Sequence, residues 1–563
     1  MLSLHIPSTD LQLGLTSALL ALVVHRVFRT YESYSTIAHF FCFLYTIFAS
    51  SVPPSTFSTL FLCYATYLST LVTSVVLYRL SPVHPLAPYP GPFWCRISKL
   101  WLASIAATGK QSRWFAALHD KYGDVVRVGP NELSIRDTSL IAPCMGPSGI
   151  PKGPHFTGAR LSAADVPLVG IQDVGEHMRR RRPWARGLGT SALKAYQPLI
   201  AKRTQQLVNR LEGQPGGFRL EQWFDWFSYD LMTDMAFGGG SNQLQDGDTD
   251  NFRKMLEDGV VIGSFFAHIP HIGVWMGLIA SAVAPLDALT KYGATRTTRR
   301  LAQGSKTQDL FHFLNNEDVP TNAPQPVNEL IQDGLLVIVA GSDTVASALT
   351  SLFFCLLANP RTYAALQKEV DQYYPREEDA HAATYHRDMP YLHAVIQETI
   401  RIFPPLPTGS GRQVPHDGSG FNAGSMMLPP GTQVYFSPWV MHRDPRNFSF
   451  PTEFWPERWL IASGHLSLDG DTPGLPASSC SQSDIKFEFK HNESAFLSFS
   501  HGPMNCVGKG FAMQEMKTVI CALMQRFRFQ LKEGYDPREF EADYLEYFVS
   551  SRPALPVTLT PRW

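Results

Sequence analysis

Three apolar stretches crowd the first 80 residues of this 563-residue chain, and beyond them the hydrophobic positions fall into a helical rhythm with few alternating runs. The stretches are Leu11–Phe28, Thr36–Val52 and Phe57–Tyr78. A membrane-spanning helix takes about 20 apolar residues, a length that the third reaches and the first approaches. The second is short and carries His39, which leaves open a span, an interfacial helix or half of a hairpin turned at Pro53-Pro54. No Lys or Arg precedes the first stretch, and more apolar sequence follows it, which argues against a cleaved signal peptide. Arg26 and Arg29 follow the first stretch and Arg79 follows the third. These basic flanks predict an endoplasmic reticulum membrane protein whose downstream part faces the cytosol.

The run His84-Pro85-Leu86-Ala87-Pro88-Tyr89-Pro90-Gly91-Pro92 cannot extend a helix, because proline lacks an amide donor and restricts the residue before it. The expected organisation is therefore a membrane anchor over 1–80 with one to three transmembrane helices, a stiff Pro-rich hinge over 81–94, and a globular catalytic domain over 95–563. Periodicity predicts helices over Ala192–Arg210, Pro326–Leu357, Pro360–Tyr373, Tyr391–Ile402 and Gly508–Phe527. Two strands around an Asn-bearing turn are predicted in Asp124–Ile135 and another at Val434-Tyr435-Phe436. Ser463–Ser483, rich in Gly, Ser and Asp, has little to bury and reads as a surface insertion. The fold class is mainly α with a small β region.

Composition narrows the function. A net charge of -1 argues against a nucleic-acid role, although local basic clusters remain open. The eight cysteines show no C-x-x-C pair and no regular spacing, so they suit a reducing compartment better than a disulfide framework. Most scattered cysteines are small buried hydrophobes.

Cys506 has a different setting: Phe499-Ser500-His501-Gly502-Pro503-Met504-Asn505-Cys506-Val507-Gly508-Lys509-Gly510. Gly502 and Gly508 are expected to let backbone lie against a flat ligand and to turn amides toward the sulfur. A helix starting just after the cysteine is expected to lower the thiol pKa and favour the thiolate, the metal-binding form. The loop resembles the ligand loop of the cytochrome P-450 family, F-x-x-G-x-R/H-x-C-x-G, at every position except Met504, which stands where the family has a basic residue. That departure removes one expected partner of a haem propionate.

Further motifs occur in that family's order. Glu398-Thr399-Ile400-Arg401 places opposite charges three apart on one helix face. Phe454-Trp455-Pro456-Glu457-Arg458-Trp459 resembles the element whose arginine completes a buried network, so Glu398, Arg401 and Arg458 are expected to lock the core. Ala340-Gly341-Ser342-Asp343-Thr344 interrupts an apolar helical run with residues that compete for backbone hydrogen bonds. It resembles the family's oxygen-binding helix, with Gly341 opening space beside the cofactor and Thr344 and Asp343 organising proton delivery. In His177-Met178-Arg179-Arg180-Arg181-Arg182, His177 and Arg181 are four apart and match the family's haem-contacting helix; the other arginines are expected to face an acidic electron donor. Arg412 is a third propionate candidate by placement.

The resemblance covers the chain from the Pro90-Gly91-Pro92 hinge onward. It implies a triangular, mostly helical fold around haem b, with Cys506 on the iron, Phe499, Gly502 and Gly508 beside the cofactor, and electrons from NADPH through a flavoprotein reductase. The implied reaction inserts one oxygen atom of O2 into substrate. A pocket drawn from Phe156–Ile171, Val260–Trp275, the helix before Thr344, Leu406–Ser410 and Phe548-Val549 is apolar and suits a small lipophilic molecule. The anchor and the insertion resemble fungal members, so hydroxylation of a terpenoid-type secondary metabolite is the expected reaction. Two alternatives stay open here: a reductase-independent peroxide isomerase or lyase, and a membrane haem-binding protein without catalysis.

Overall fold

The computed structural model describes residues 8–30, 45, 57–160, 166–214, 216–249, 251–277, 279–304, 308–468 and 488–563. The middle apolar stretch, apart from Tyr45, and most of the Ser463–Ser483 insertion lie outside them. Helices α1 (Ser8–Thr30) and α2 (Phe57–Leu80) pack against each other at the amino terminus. Hydropathy alone does not separate α2 from the long helix Val327–Ala358, because their means are 1.8 and 1.7. Burial separates them: 11% of the α2 window is covered by protein against 67% of the other. The exposed, apolar α2 is long and apolar enough to cross a membrane, and the Val327 helix spends its hydrophobicity on the core.

Anchor and body are joined firmly, but not by an extended proline rod. Residues 81–89 fold into successive turns, including Ala87 N–H to His84 O at 2.8 Å, and Leu86 is buried. Arg79, at the end of α2, donates to Ile97 O at 2.6 Å. Arg127 donates to Arg79 O at 3.3 Å, and its own amide donates to Pro90 O at 2.7 Å. A Cβ at Gly91 would overlap the Arg127 carbonyl, so only glycine permits this approach.

The body is helical. Its elements around the site are α3 (His155–Ala159), α4 (Val174–Gly187), α5 (Leu220–Phe237), α6 (Phe252–Ala267), α7 (Val327–Ala358), α8 (Pro390–Ile402), α9 (Glu457–Ala462) and α10 (Lys509–Arg526). The helices expected at 192–210 and 360–373 are present as Thr190–Glu212 and Pro360–Tyr373. The main sheet has order β1 (Val125–Gly129), β2 (Glu132–Ile135), β4 (Gln433–Tyr435), β3 (Arg412–Gln413). β1 and β2 are antiparallel, with Val126 opposite Ser134, whereas β2 runs parallel to β4, with Leu133 opposite Val434. Parallel pairing needs a crossover, and here nearly the whole helical body separates the two strands in sequence.

Helix α7 is the axis of the core, with α5 laid closely along it. Gly334 and Gly341, two turns apart on α7, face α5, and a Cβ there would overlap Phe237 and Met232 respectively. Gly341 was expected to open room for a cofactor. It does line the cavity, and its missing side chain also makes room for Met232, which brings the two helices to short range. Asn447 and Asn492, which match the glycosylation pattern, bond to each other (3.2 Å), and Asn447 is buried.

Candidate active site

The loop before α10 is a tight frame around one sulfur. Cys506 N–H donates to Phe499 O at 2.9 Å, Asn505 N–H to Gly502 O at 3.0 Å and Ser500 N–H to Leu497 O at 2.8 Å. Ser500 and Gly502 lie in the left-handed region, at φ 61 and 72. The reason for glycine at 502 differs from the one expected: a Cβ would overlap the Met145 carbonyl oxygen, so the close approach is to protein backbone and not to a ligand. At Gly508 the nearest atom to an added Cβ is Cys506 Sγ, at 3.9 Å. Gly502→Ala combines that overlap with left-handed backbone strain, which alone costs about 1–2 kcal/mol. The expected result is a lower melting temperature and less cofactor retained per chain, measured by thermal denaturation and Soret absorbance.

Cys506 is enclosed by protein yet opens onto the large cavity, unlike the five other described cysteines, which are buried. Burial pushes its thiol above the ordinary value, while the Gly508 and Lys509 amides at the start of α10 and the Arg181 charge pull it down. The helix start thus acts in the expected direction, but desolvation outweighs it in the protein alone.

The cavity, about 440 Å³, runs from Cys506 past Thr344 to Phe156 and Phe548. All five expected segments contribute: Phe156 and Leu168; Val260, Gly263, Ser264 and Ala267; Leu335, Leu336, Val337, Val339 and Ala340; Leu406, Gly409 and Ser410; and Phe548 with Val549. Residues 271–275 do not line it; they belong to a short helix, Pro270–Met276, that leaves Ile272 and Trp275 exposed. Met232 and Met235 of α5, Leu286 and Leu289, and Lys152 also line it and were not anticipated. Their positions depend on which helix faces pack together, a fact that no local motif carries.

Adjacent residues of α7 diverge. Thr344 lines the cavity, and its hydroxyl donates to Ala340 O at 2.7 Å, which leaves its lone pairs to accept a hydrogen bond. Asp343 is half-buried, is absent from the cavity lining, and pairs with Arg552 at 3.2 Å; Arg552 also pairs with Asp225. Burial raises the Asp343 pKa, and Arg552 opposes the rise.

The polar end of the cavity collects cations. His177 and Arg181 share the inner face of α4, and both line the cavity. Arg181 grips the cysteine loop, donating to Asn505 O and Oδ1 at 2.8 Å each. Arg412 lies just behind, fully buried, with Nη1 at 3.0 Å from Met504 Sδ. Its Nε and Nη2 find no partner among the described residues. The remaining arginines of the run do not form a free donor-facing patch. Arg179 pairs with Glu176 and Glu329, and Arg180 is buried on Asp333 at 2.8 Å. These pairs pin α4 to α7; Arg179 and Arg182 are the exposed members of the run, and Arg179 is held in ion pairs.

Below, Glu398 on α8 binds Arg401 through two bonds of 2.8 Å and Arg458 on α9 at 3.0 Å. The Trp455 amide and the Trp459 indole each donate to it at 2.9 Å. Glu398, Arg401 and Arg458 show no solvent exposure. The excess positive charge is spread over carbonyls, among them His442 O at 2.8 Å and Phe450 O at 2.9 Å.

This arrangement, a cavity-facing cysteine framed by amides beneath a hydroxyl-bearing helix, coincides with a family match. Residues 87–554 match the Cytochrome P450 family. The chain is 30% identical over 508 residues to "Cytochrome P450 monooxygenase FCK2" of Fusarium pseudograminearum, covering 87% of this chain and 85% of that protein. It is also 30% identical over 510 residues to "Tryprostatin B 6-hydroxylase" of Aspergillus fumigatus, covering 88% and 84%. The same identity relates it to "Cytochrome P450 monooxygenase notG'" of Aspergillus versicolor, covering 88% and 86%. The chain belongs to the cytochrome P450 family. Within that family it is a monooxygenase, and family membership implies haem and a small-molecule substrate. The residues present fit haem: an apolar cavity, a cysteine thiol opening onto it, and buried guanidinium nitrogens without an anionic partner among the described residues.

Proposed function

We propose that this protein hydroxylates an apolar secondary metabolite of terpenoid type, with Cys506 as the axial ligand of haem b. The observation that carries the reading is the Cys506 sulfur opening onto the apolar cavity below Thr344. Haem held there supplies the dioxygen chemistry, and thiolate ligation favours O–O cleavage. Everything else is done by the chain. Phe499, Gly502 and Gly508 shape the ligand loop, and the Gly508 and Lys509 amides hold negative charge on sulfur. His177, Arg181 and Arg412 receive the cofactor's carboxylates. Glu398, Arg401 and Arg458 keep α8 and α9 in register behind the loop. Thr344 accepts a hydrogen bond at the cavity wall, and Asp343 relays protons from the Arg552 side. The apolar lining excludes water and orients a lipophilic substrate by shape. The name Tryprostatin B 6-hydroxylase, carried by the Aspergillus fumigatus relative, brings hydroxylation to this chain as the preferred reaction.

Electrons come from NADPH through a flavoprotein reductase. The protein sits in the endoplasmic reticulum membrane, anchored by residues 1–80 and joined by 81–94 to a cytosolic catalytic domain over 95–563. The test is NADPH-dependent oxygen consumption with reductase in microsomes, together with a metabolite comparison in hosts with and without the gene. A substrate-dependent product carrying one added oxygen is the expected result. Turnover of a hydroperoxide without reductase would overturn the reading in favour of an isomerase or lyase. Thr344→Ala is expected to lower product formed per NADPH roughly tenfold or more, at unchanged haem content. Absence of product from wild type and variant alike, at full haem content, would favour a haem-binding protein without catalysis.

A further inference from the structure

Met504 leaves the cysteine loop without a basic side chain, yet a cation stands nearby from another part of the chain. Lys152 lies in Gly149-Ile150-Pro151-Lys152-Gly153-Pro154, far from the cysteine loop in sequence. Its segment is clamped to β3: Gln413 N–H donates to Pro151 O at 3.0 Å, Gly153 N–H donates to Gly411 O at 3.0 Å, and Lys152 bridges to Arg412. Arg412 in turn touches Met504. The lysine therefore enters the same corner that residue 504 occupies, from the opposite wall.

We propose that Lys152 is a haem-carboxylate ligand that takes the place of the basic residue missing at Met504. This rests on the haem-thiolate reading above. Lys152 is buried and lines the cavity together with His177, Arg181 and Met504. Its Nζ donates to His177 Nε2 at 3.4 Å, which uses one of three donors; an ammonium cannot accept, so the His177 ring proton sits on Nδ1. Among the described residues Lys152, Arg181 and Arg412 form no ion pair. A buried ammonium beside two guanidinium groups is strongly unfavourable without an anion. Among the described residues no carboxylate pairs with these cations, so the anion comes with the ligand, and haem carries two carboxylates on one edge. Burial, with help from Arg412 and Arg181, depresses the Lys152 pKa to about 7, a shift that an incoming carboxylate reverses.

The test compares purified holoprotein with Lys152→Met and with the double variant Lys152→Met/Met504→Arg. Haem transfer to excess apomyoglobin gives the loss rate, and redox titration gives the iron potential. Lys152→Met is expected to speed haem loss about ten- to a hundredfold, the size of one hydrogen bond to a charged group. It is also expected to move the potential to more negative values, because a cation near the iron is gone. The reduced, carbon-monoxide-bound band stays red-shifted, since the sulfur is untouched. Met504→Arg in the same chain restores retention to within about threefold, again on the scale of one charged hydrogen bond. Unchanged loss rate and potential in Lys152→Met overturn the assignment, as does a change confined to substrate KM, which would make Lys152 a substrate contact. If Lys152→Met does not accumulate, a folded, haem-retaining double variant supports the proposal and an equally unstable one overturns it. Wild-type protein without a thiolate-type band refutes the haem-thiolate reading itself, an outcome distinct from a Lys152 variant that behaves normally.

Discussion

Cys506→Ala is expected to abolish the strongly red-shifted Soret band of the reduced, carbon-monoxide-bound protein and to reduce NADPH-dependent product formation to background. Cys506 is the described cysteine whose side chain opens onto the cavity. It is held by its own amide on Phe499 O and approached by the Gly508 and Lys509 amides. No other described thiol reaches the cavity: Cys144, Cys355 and Cys521 are buried and absent from its lining. The loss should exceed the roughly 100-fold that follows removal of a group hydrogen-bonded to a metal ligand. A red-shifted band that survives in Cys506→Ala would remove the basis of the proposed chemistry.

Glu398→Gln is expected to be the most damaging substitution outside the cavity. The glutamine keeps the shape but removes the charge shared by two fully buried guanidinium groups. It also turns an amide donor toward donors. Breaking a buried pair by deleting one partner costs about 3–5 kcal/mol, a large part of a typical domain's stability. Reduced accumulation, a lower denaturation midpoint and little bound haem are the expected signs, read by denaturant titration and Soret absorbance. Burial alone would raise the Glu398 pKa, but Arg401 and Arg458 outweigh it and hold the carboxyl at about 2, below its ordinary 4.5. The folded state thus binds this proton less readily than the unfolded chain. Its stabilisation is complete above about pH 4.5 and fades as the pH falls toward 2. The stability gap between wild type and Glu398→Gln should narrow over that window; a gap independent of pH would show that the charge is not what matters.

The Glu398 network was legible because its parts are local: a three-residue spacing on one helix face, and a Trp-Pro-Glu-Arg run. The Cys506 loop was legible for the same reason, since glycines and a cysteine at short spacing leave few alternatives. Two glycines carry more than their local setting shows. Gly341 lines the cavity and also makes room for Met232, and Gly502 makes room for the Met145 backbone. A glycine announces that something comes close without saying what. In the arginine run after His177, Arg180 turns inward because its acidic partners Glu329 and Asp333 lie on α7, about 150 residues away in sequence.

The sequence by itself determined the class of element at each position, the apolar anchor and the cysteine loop, because periodicity, proline placement and motif spacing act over a few residues. Only the tertiary structure decided which of two equally apolar helices is left exposed and which is the core axis. It also decided that Asp343 turns to Arg552 while Thr344 faces the cavity, and that Lys152 arrives opposite Met504. Burial and pairing depend on what packs from elsewhere in the chain, and the free energy of a charge is set by those neighbours more than by its own letter.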